Sequence, residues 1–225
     1  ERSFRGYVKF ANLGKPMLQQ LDCIAAQAPA DARRFQQLGI AAEKLVVTGS
    51  LKVEAALPDA VLHDNPLLGR IEDQRRIWIA ASTRDGEEEK ILAAFRIAQR
   101  EIPDLLLVLV PRHPERADAI AVACAEAGLS VARRSAGDTV SPGTDIFLGD
   151  TIGEMGLYLR LTEIAFVGRS LTGKGGQNPL EPAMLDTAVL SGRNVQNFRD
   201  AYQKLAAGGA ARFVKDKEVL AGAVN

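Results

Sequence analysis

The sequence predicts an α/β protein, a Rossmann-like parallel sheet with helices on both faces preceded by a β-α-β piece, on three observations. From Arg76 onward short apolar runs alternate with helix-length segments, the pattern of repeated β-α units. The run at 105–110, LLLVLV, is apolar throughout, as a strand covered on both faces must be. Polar clusters follow the strands, at the edge where such sheets bind ligands.

A chain of 225 residues can bury a substantial core in one or two domains. Hydrophobic residues make up 47% and the net charge is zero, which excludes disorder and a dominant nucleic-acid-binding face. Cys23 and Cys124 sit in apolar settings and are expected as reduced core residues. No secretory signal opens the chain, and no apolar run approaches the about 18 residues of a membrane span. Glu1 rather than Met comes first and Asn225 falls within a helical pattern, so a piece of a longer protein is expected.

Taken in order, residues 3–21 carry helical spacing at Phe4, Tyr7, Val8, Leu18 and Leu21, interrupted around Gly14 and Pro16. A strand at 23–26, a helix at 31–38 stopped by Gly39 and a strand at 45–48 make the β-α-β piece, read as the remnant of a preceding domain over 1–52. Residues 53–70 lose periodicity and contain Pro58, Pro66 and Gly69, which marks an inter-domain connection. The second domain, 71–225, runs through strands at 77–81, 105–110, 131–133, 146–148, 164–167, 188–191 and 212–214. Helices fall at 86–100, 114–127, 153–161, 179–185, 197–207 and 217–224. Glu87, Glu88 and Glu89 suit the first turn of one, and the next buries Ala117, Ile120, Ala121 and Cys124 and ends before Gly128.

Five polar clusters end strands: Ser82 to Asp85, Arg112-His113, Gly149 to Glu154, Arg169-Ser170 and Arg193 to Asn197. Five on one rim predict a binding cleft. The stretch GRSLTGKGGQNPLEPA at 168–183 joins a strand to a helix through a glycine-rich turn. Asn178 suits the N-cap, Pro179 the first helical position, and Glu181 a capping box that reaches back to the cap's N–H. Free N–H groups there, with the loop Gly173 to Gly176, can hold an anion; the alternative is a capped helix and nothing more. Arg112 and His113 can grip a phosphate or carboxylate, or Arg112 can pair with Glu115. At Gly153, Glu154 and Met155 the backbone N–H groups matter more than the Glu154 side chain, and Trp78 and Phe166 read as core. The chain has no G-x-G-x-x-G, Walker sequence or Cys/His cluster with metal spacing. The site expected is an anion site of N–H groups and cations, with neither metal nor cofactor.

The ordered motifs ERSFRGY, VVTGSLK, ASTRDGEEE, PRHPER, GDTIGEMGLYLRL, AFVGRSL, GGQNPLEPA and the late Asn197-Phe198 span the whole chain. With them the sequence resembles the 3-deoxy-D-manno-octulosonic acid (Kdo) transferase family of lipopolysaccharide synthesis. The resemblance implies a two-domain GT-B glycosyltransferase, specific for lipid A, in which the C-terminal half holds the donor CMP-Kdo and the N-terminal half a lipid A precursor. It implies inverting, metal-independent transfer at the cytoplasmic face of a bacterial inner membrane. Residue by residue, it implies that Glu181 receives the ribose hydroxyls and that Asn178, Gly175 and Gly176 lie near the phosphate. Gly153, Glu154 and Met155 would line the nucleotide pocket, while Pro111, Arg112 and His113 help hold CMP or the sugar carboxylate. Gln177 and Arg84 stand where many members carry His. The family's general base is a glutamate of the early N-terminal domain, so no catalytic base is named here, and this chain alone is expected to transfer nothing. Two other readings stay open: a sugar-nucleotide 2-epimerase-like isomerase and a non-catalytic nucleotide-binding module.

Overall fold

The computed structural model describes residues 2–49 and 75–225. The chain divides into two compact units, Glu1–Ala56 and Leu57–Asn225. The connection expected at 53–70 lies outside the described residues, as do Ser50, Leu51 and Lys52 of the VVTGSLK motif.

The first unit begins with α1 (Arg2–Lys9) and α2 (Ala11–Gln19). The break falls at Phe10, where φ −109° and ψ 31° leave the helical region, and not at Gly14 or Pro16 as expected. The Phe10 carbonyl accepts from the N–H groups of Leu13 and Gly14 and starts the second helix. Pro16 sits inside α2, where the one bond it cannot donate is tolerable because water reaches the exposed helix. Lys44 closes the end of α2, its ammonium donating to the carbonyls of Gln19 (3.0 Å) and Leu21 (2.9 Å). Strand β1 (Ile24–Ala26) pairs in parallel with β2 (Leu45–Val47) around α3 (Pro29–Gln37), which ends at Gly39 with φ +91°. Buried and exposed positions alternate along β1 so that Ile24 and Ala26 point inward. Cys23 precedes the strand and is exposed, which corrects the expectation of two buried cysteines.

The second unit is one seven-stranded sheet with every neighbour parallel. Its strands are β3 (Ile77–Thr83), β4 (Leu106–Pro111), β5 (Val131–Arg133), β6 (Ile146–Leu148), β7 (Ile164–Val167), β8 (Ala188–Ser191) and β9 (Ala211–Phe213), in the spatial order β5-β6-β4-β3-β7-β8-β9. Helices α4 (Glu88–Ala98), α5 (Ala117–Glu126), α6 (Met155–Leu159), α7 (Leu180–Ala183), α8 (Arg199–Ala207) and α9 (Lys217–Val224) cover it. The helices expected at 114–127 and 197–207 each open with a tighter turn, Pro114–Arg116 and Gln196–Phe198.

Strand alternation sorts the core onto two faces. Trp78, Ala80, Leu107, Leu109 and Phe166 pack with Ile91 and Phe95 of α4 and Leu220 of α9. Ile79, Ala81, Leu106, Val108 and Phe147 pack with Leu157, Tyr158 and Leu159 on the other face. Cys124 and Ile120 are buried beneath α5, while Ala121 packs only at the margin. From β3 the chain builds outward to β4, β6 and β5, then returns to add β7, β8 and β9 on the opposite side. The switch point therefore lies between β3 and β7, and ligands bind at the carboxyl ends of strands there.

Candidate functional site

Two loops flank the switch point. Within the last residues of β3 the register slips between Ala81 and Thr83, with Ser82 at φ 55°. After β7, Arg169 takes φ 57°. The loops approach so closely that a Cβ on Gly168 would lie 2.6 Å from the Ser82 carbonyl oxygen. Glu87, fully buried, accepts from the N–H groups of Arg84 (3.0 Å), Arg169 (2.6 Å), Ser170 (2.8 Å) and Leu171 (2.9 Å). Glu88, also buried, accepts from the Thr83 hydroxyl (3.0 Å) and the Arg116 guanidinium (2.7 Å). Glu88 is the first cause that raises the Arg116 pKa above its ordinary value. The dipole argument explains acidic residues in this first turn but not the burial of Glu87 and Glu88, which is set by partners on other segments.

The glycine-rich loop is held from within. Gly175 (φ 109°) donates its N–H to the Gln196 side chain (2.9 Å), and its carbonyl accepts from Asn197 N–H (2.9 Å). Gly176 (φ 71°) donates to the Arg169 carbonyl (3.1 Å). Neither N–H is left for an anion. Both glycines permit close approach instead: a Cβ on Gly175 would meet the Asn197 amide at 2.5 Å, and one on Gly176 the Val195 backbone at 2.9 Å. Among the described residues the N–H groups of Gln177, Asn178 and Glu181 have no acceptor. The helix starts one residue later than expected, so Pro179 and not Asn178 stands at the N-cap and makes no side-chain cap; Asn178 Oδ1 accepts from Leu180 N–H (3.2 Å) just ahead of it. Neither half of the expected capping box is made among the described residues. The Glu181 side chain is exposed and makes no hydrogen bond among the described residues.

At the end of β4, Pro111 is buried and pairs with Thr83, and Arg112 donates its backbone N–H to the Thr83 carbonyl (3.1 Å). The Arg112 guanidinium is exposed and has no partner among the described residues. Glu115 instead meets His113 Nδ1 at 3.3 Å. At the end of β6, Gly153 has φ 90°, and the N–H groups of Gly153, Glu154 and Met155 have no acceptor among the described residues. The Glu154 carboxylate is fully engaged, accepting from Arg134 (2.8 Å), Tyr158 (3.0 Å) and Thr151. Burial pushes it up, but Arg134, Thr151 and Tyr158 together bring it below the ordinary glutamate value. Two buried donors on the flanking loops, Arg84 Nε and Gln177 Nε2, have no acceptor among the described residues; such orphans are uncommon in folded proteins. No group of three His, Cys, Asp or Glu among the described residues could hold a metal ion.

The expected site residues therefore lie in three groups, Pro111 to His113, Gly153 to Met155 and Gly175 to Glu181, on one continuous rim formed by the ends of β6, β4, β3 and β7. Among the described residues no hydrogen bond ties one group to another; β3 lies between β4 and β7, the strands whose ends carry the first and third of these groups.

Residues 1–55 match the family described as 3-deoxy-D-manno-octulosonic-acid transferase (kdotransferase). The chain is 38% identical over 205 residues to the 3-deoxy-D-manno-octulosonic acid transferase of Haemophilus influenzae, covering 91% of this chain and 48% of that protein. It spans about half the length of the curated relatives it matches. The crystal structure of the C-terminal CMP-Kdo binding domain of WaaA from Acinetobacter baumannii superposes with a TM-score of 0.66 at 31% identity, covering 70% of this chain and 83% of that one. UDP-GlcNAc 2-epimerase from Neisseria meningitidis shares the fold, with a TM-score of 0.56 at 12% identity over 90% of this chain and 51% of that one.

Proposed function

The chain belongs to the 3-deoxy-D-manno-octulosonic acid transferase family, and from that premise we propose that its second unit binds the donor CMP-Kdo for transfer to a lipid A precursor. The observation that carries this reading is the rim itself. It gathers an exposed Arg112 and the N–H groups of 153–155, unpartnered among the described residues, and the start of α7 beside one switch point. When the anomeric carbon–oxygen bond of CMP-Kdo breaks, negative charge develops on the departing phosphate. Arg112 and the free N–H groups of Gln177 and Asn178 meet that charge without a metal or cofactor. The exposed Glu181 carboxylate receives the ribose hydroxyls, Gly153, Glu154 and Met155 receive the base, and Pro111 and His113 border the sugar. Gly175 and Gly176 contribute by the closeness they allow. Arg84 Nε and Gln177 Nε2 are free to donate to donor oxygens.

A lipid A hydroxyl attacking the opposite face inverts the anomeric carbon, and the general base is not assigned to any residue of this chain. A lipid acceptor places the whole protein at the cytoplasmic face of a bacterial inner membrane in this reading. Calorimetric titration with CMP is the test: saturable binding of CMP with no comparable binding of UDP-GlcNAc is expected. Equal binding of both, the result an epimerase-like site would give, or no binding of CMP overturns the proposal.

A further inference from the structure

Glu87 is the most deeply buried acidic residue on the rim. Each of its oxygens accepts two N–H groups. Oε1 takes Ser170 and Leu171, and Oε2 takes Arg84 and Arg169. The left-handed Arg169 turns successive N–H groups toward one point, which is the concavity that elsewhere holds a bound anion. Here a carboxylate from the neighbouring loop fills it. The turn at the switch point is thereby tied to the loop after β3, and further segments hang from it. The Arg169 carbonyl accepts from Gly176 N–H (3.1 Å), and the Ser170 carbonyl accepts from Asn194 N–H (3.2 Å).

We propose that Glu87 is a positioning residue of the donor site. It holds turn 169–171, and through the Arg169 carbonyl the loop leading to Asn178, at the place where the free N–H groups meet a phosphate. This rests on the donor-site reading above. It also means that the donor's phosphate does not enter turn 169–171, whose N–H groups are already taken. A glutamine of the same shape cannot substitute, because its amide nitrogen would face two N–H donors whichever way it is turned. Helix α7 keeps separate anchors: Pro182 is buried, and its carbonyl accepts from the N–H groups of Leu185 and Thr187. Glu181 therefore stays in place when the turn loosens.

The experiment titrates the wild-type chain and Glu87→Gln with CMP and with cytidine, at a temperature where circular dichroism finds both folded. Glu87→Gln is expected to lose about tenfold in affinity for CMP and less than about twofold for cytidine, since the loss falls on the phosphate. A general structural weakening would lower both equally, and that result, or an unchanged affinity for CMP, overturns the proposal while leaving the donor-site reading standing. A wild-type chain that binds neither ligand overturns both. Should the variant fail to fold, amide hydrogen exchange on the wild type decides: slow exchange at Arg169, Ser170 and Leu171 before CMP is added supports the clamp, and fast exchange there overturns it.

Discussion

Glu181 illustrates how one side chain can satisfy a local rule on paper and ignore it in the fold. The spacing N-P-L-E permits a capping box, but Asn178 Oδ1 accepts from Leu180 N–H and not from Glu181 N–H, and neither half of the box forms. A solvated carboxylate with no partner among the described residues contributes little to stability. Glu181→Gln is accordingly expected to shift the unfolding free energy by no more than about 0.5 kcal/mol, and to weaken CMP binding by about tenfold through a lost ribose contact. Thermal denaturation beside calorimetry separates the two; a large stability loss with unchanged affinity would sink the ribose role. Cys23 carries a similar lesson. Its apolar neighbours suggested burial, but strand β1 begins one residue later and leaves it outside. Cys124 is buried as expected, and burial raises its thiol to about 11.

At the scale of elements, the junctions between loops matter more than the strands they join. The strand at 164–167, the strand at 188–191 and the helix at 217–224 were legible to the residue, because uninterrupted apolar runs and a capping Asp216 define them locally. The seams were not. Gly192 follows β8, and a Cβ there would stand 2.0 Å from the Ser170 carbonyl oxygen, with only backbone atoms to yield. Gly192→Ala is expected to destabilise the second unit by about 1–3 kcal/mol or more, the range of overpacked sites. Chemical denaturation measures it, and a neutral result would mean that the turn carrying Ser170 moves freely, against the clamp made by Glu87. Glycine at 168, 175, 176 and 192 was visible in the sequence, but which backbone each one admits is a contact between residues distant along the chain.

Across the whole molecule, charge is arranged by the sheet. Burial pushes the Asp150 carboxyl up, but the hydroxyl and amide of Ser135 and the Arg133 guanidinium bring it below the ordinary aspartate value. Glu154 is depressed in the same sense by Arg134. A carboxyl depressed in the folded chain stabilises it in full above the ordinary, unfolded-state pKa, and that stability is lost as the pH falls through the folded-state value. Resistance to urea is therefore expected to be flat above about pH 5 and to fall below about pH 4. Arg133→Gln should flatten the acid limb, and an unaltered acid limb in that variant would count against the pairing. Beneath the opposite edge, Arg75 donates to the carbonyls of Asp104 (2.7 Å), Ser141 (3.1 Å), Leu105 (3.2 Å) and Thr144 (2.9 Å). No pattern around Arg75 announced that role, since all its acceptors are backbone groups supplied by other strands and loops.

Periodicity alone was enough to specify the parallel α/β architecture and the residue types at the carboxyl ends of its strands, because each depends on neighbours within a few positions along the chain. Ordered motifs carried the family. Tertiary structure alone decided which donors remain free on that rim. Gly175 and Gly176 spend their N–H groups on Gln196 and Arg169, Glu87 fills the turn after β7, and the Arg112 side chain is left unpaired among the described residues. A hydrogen-bonding group has limited capacity, and which partner claims it first is settled by distances between segments far apart in sequence.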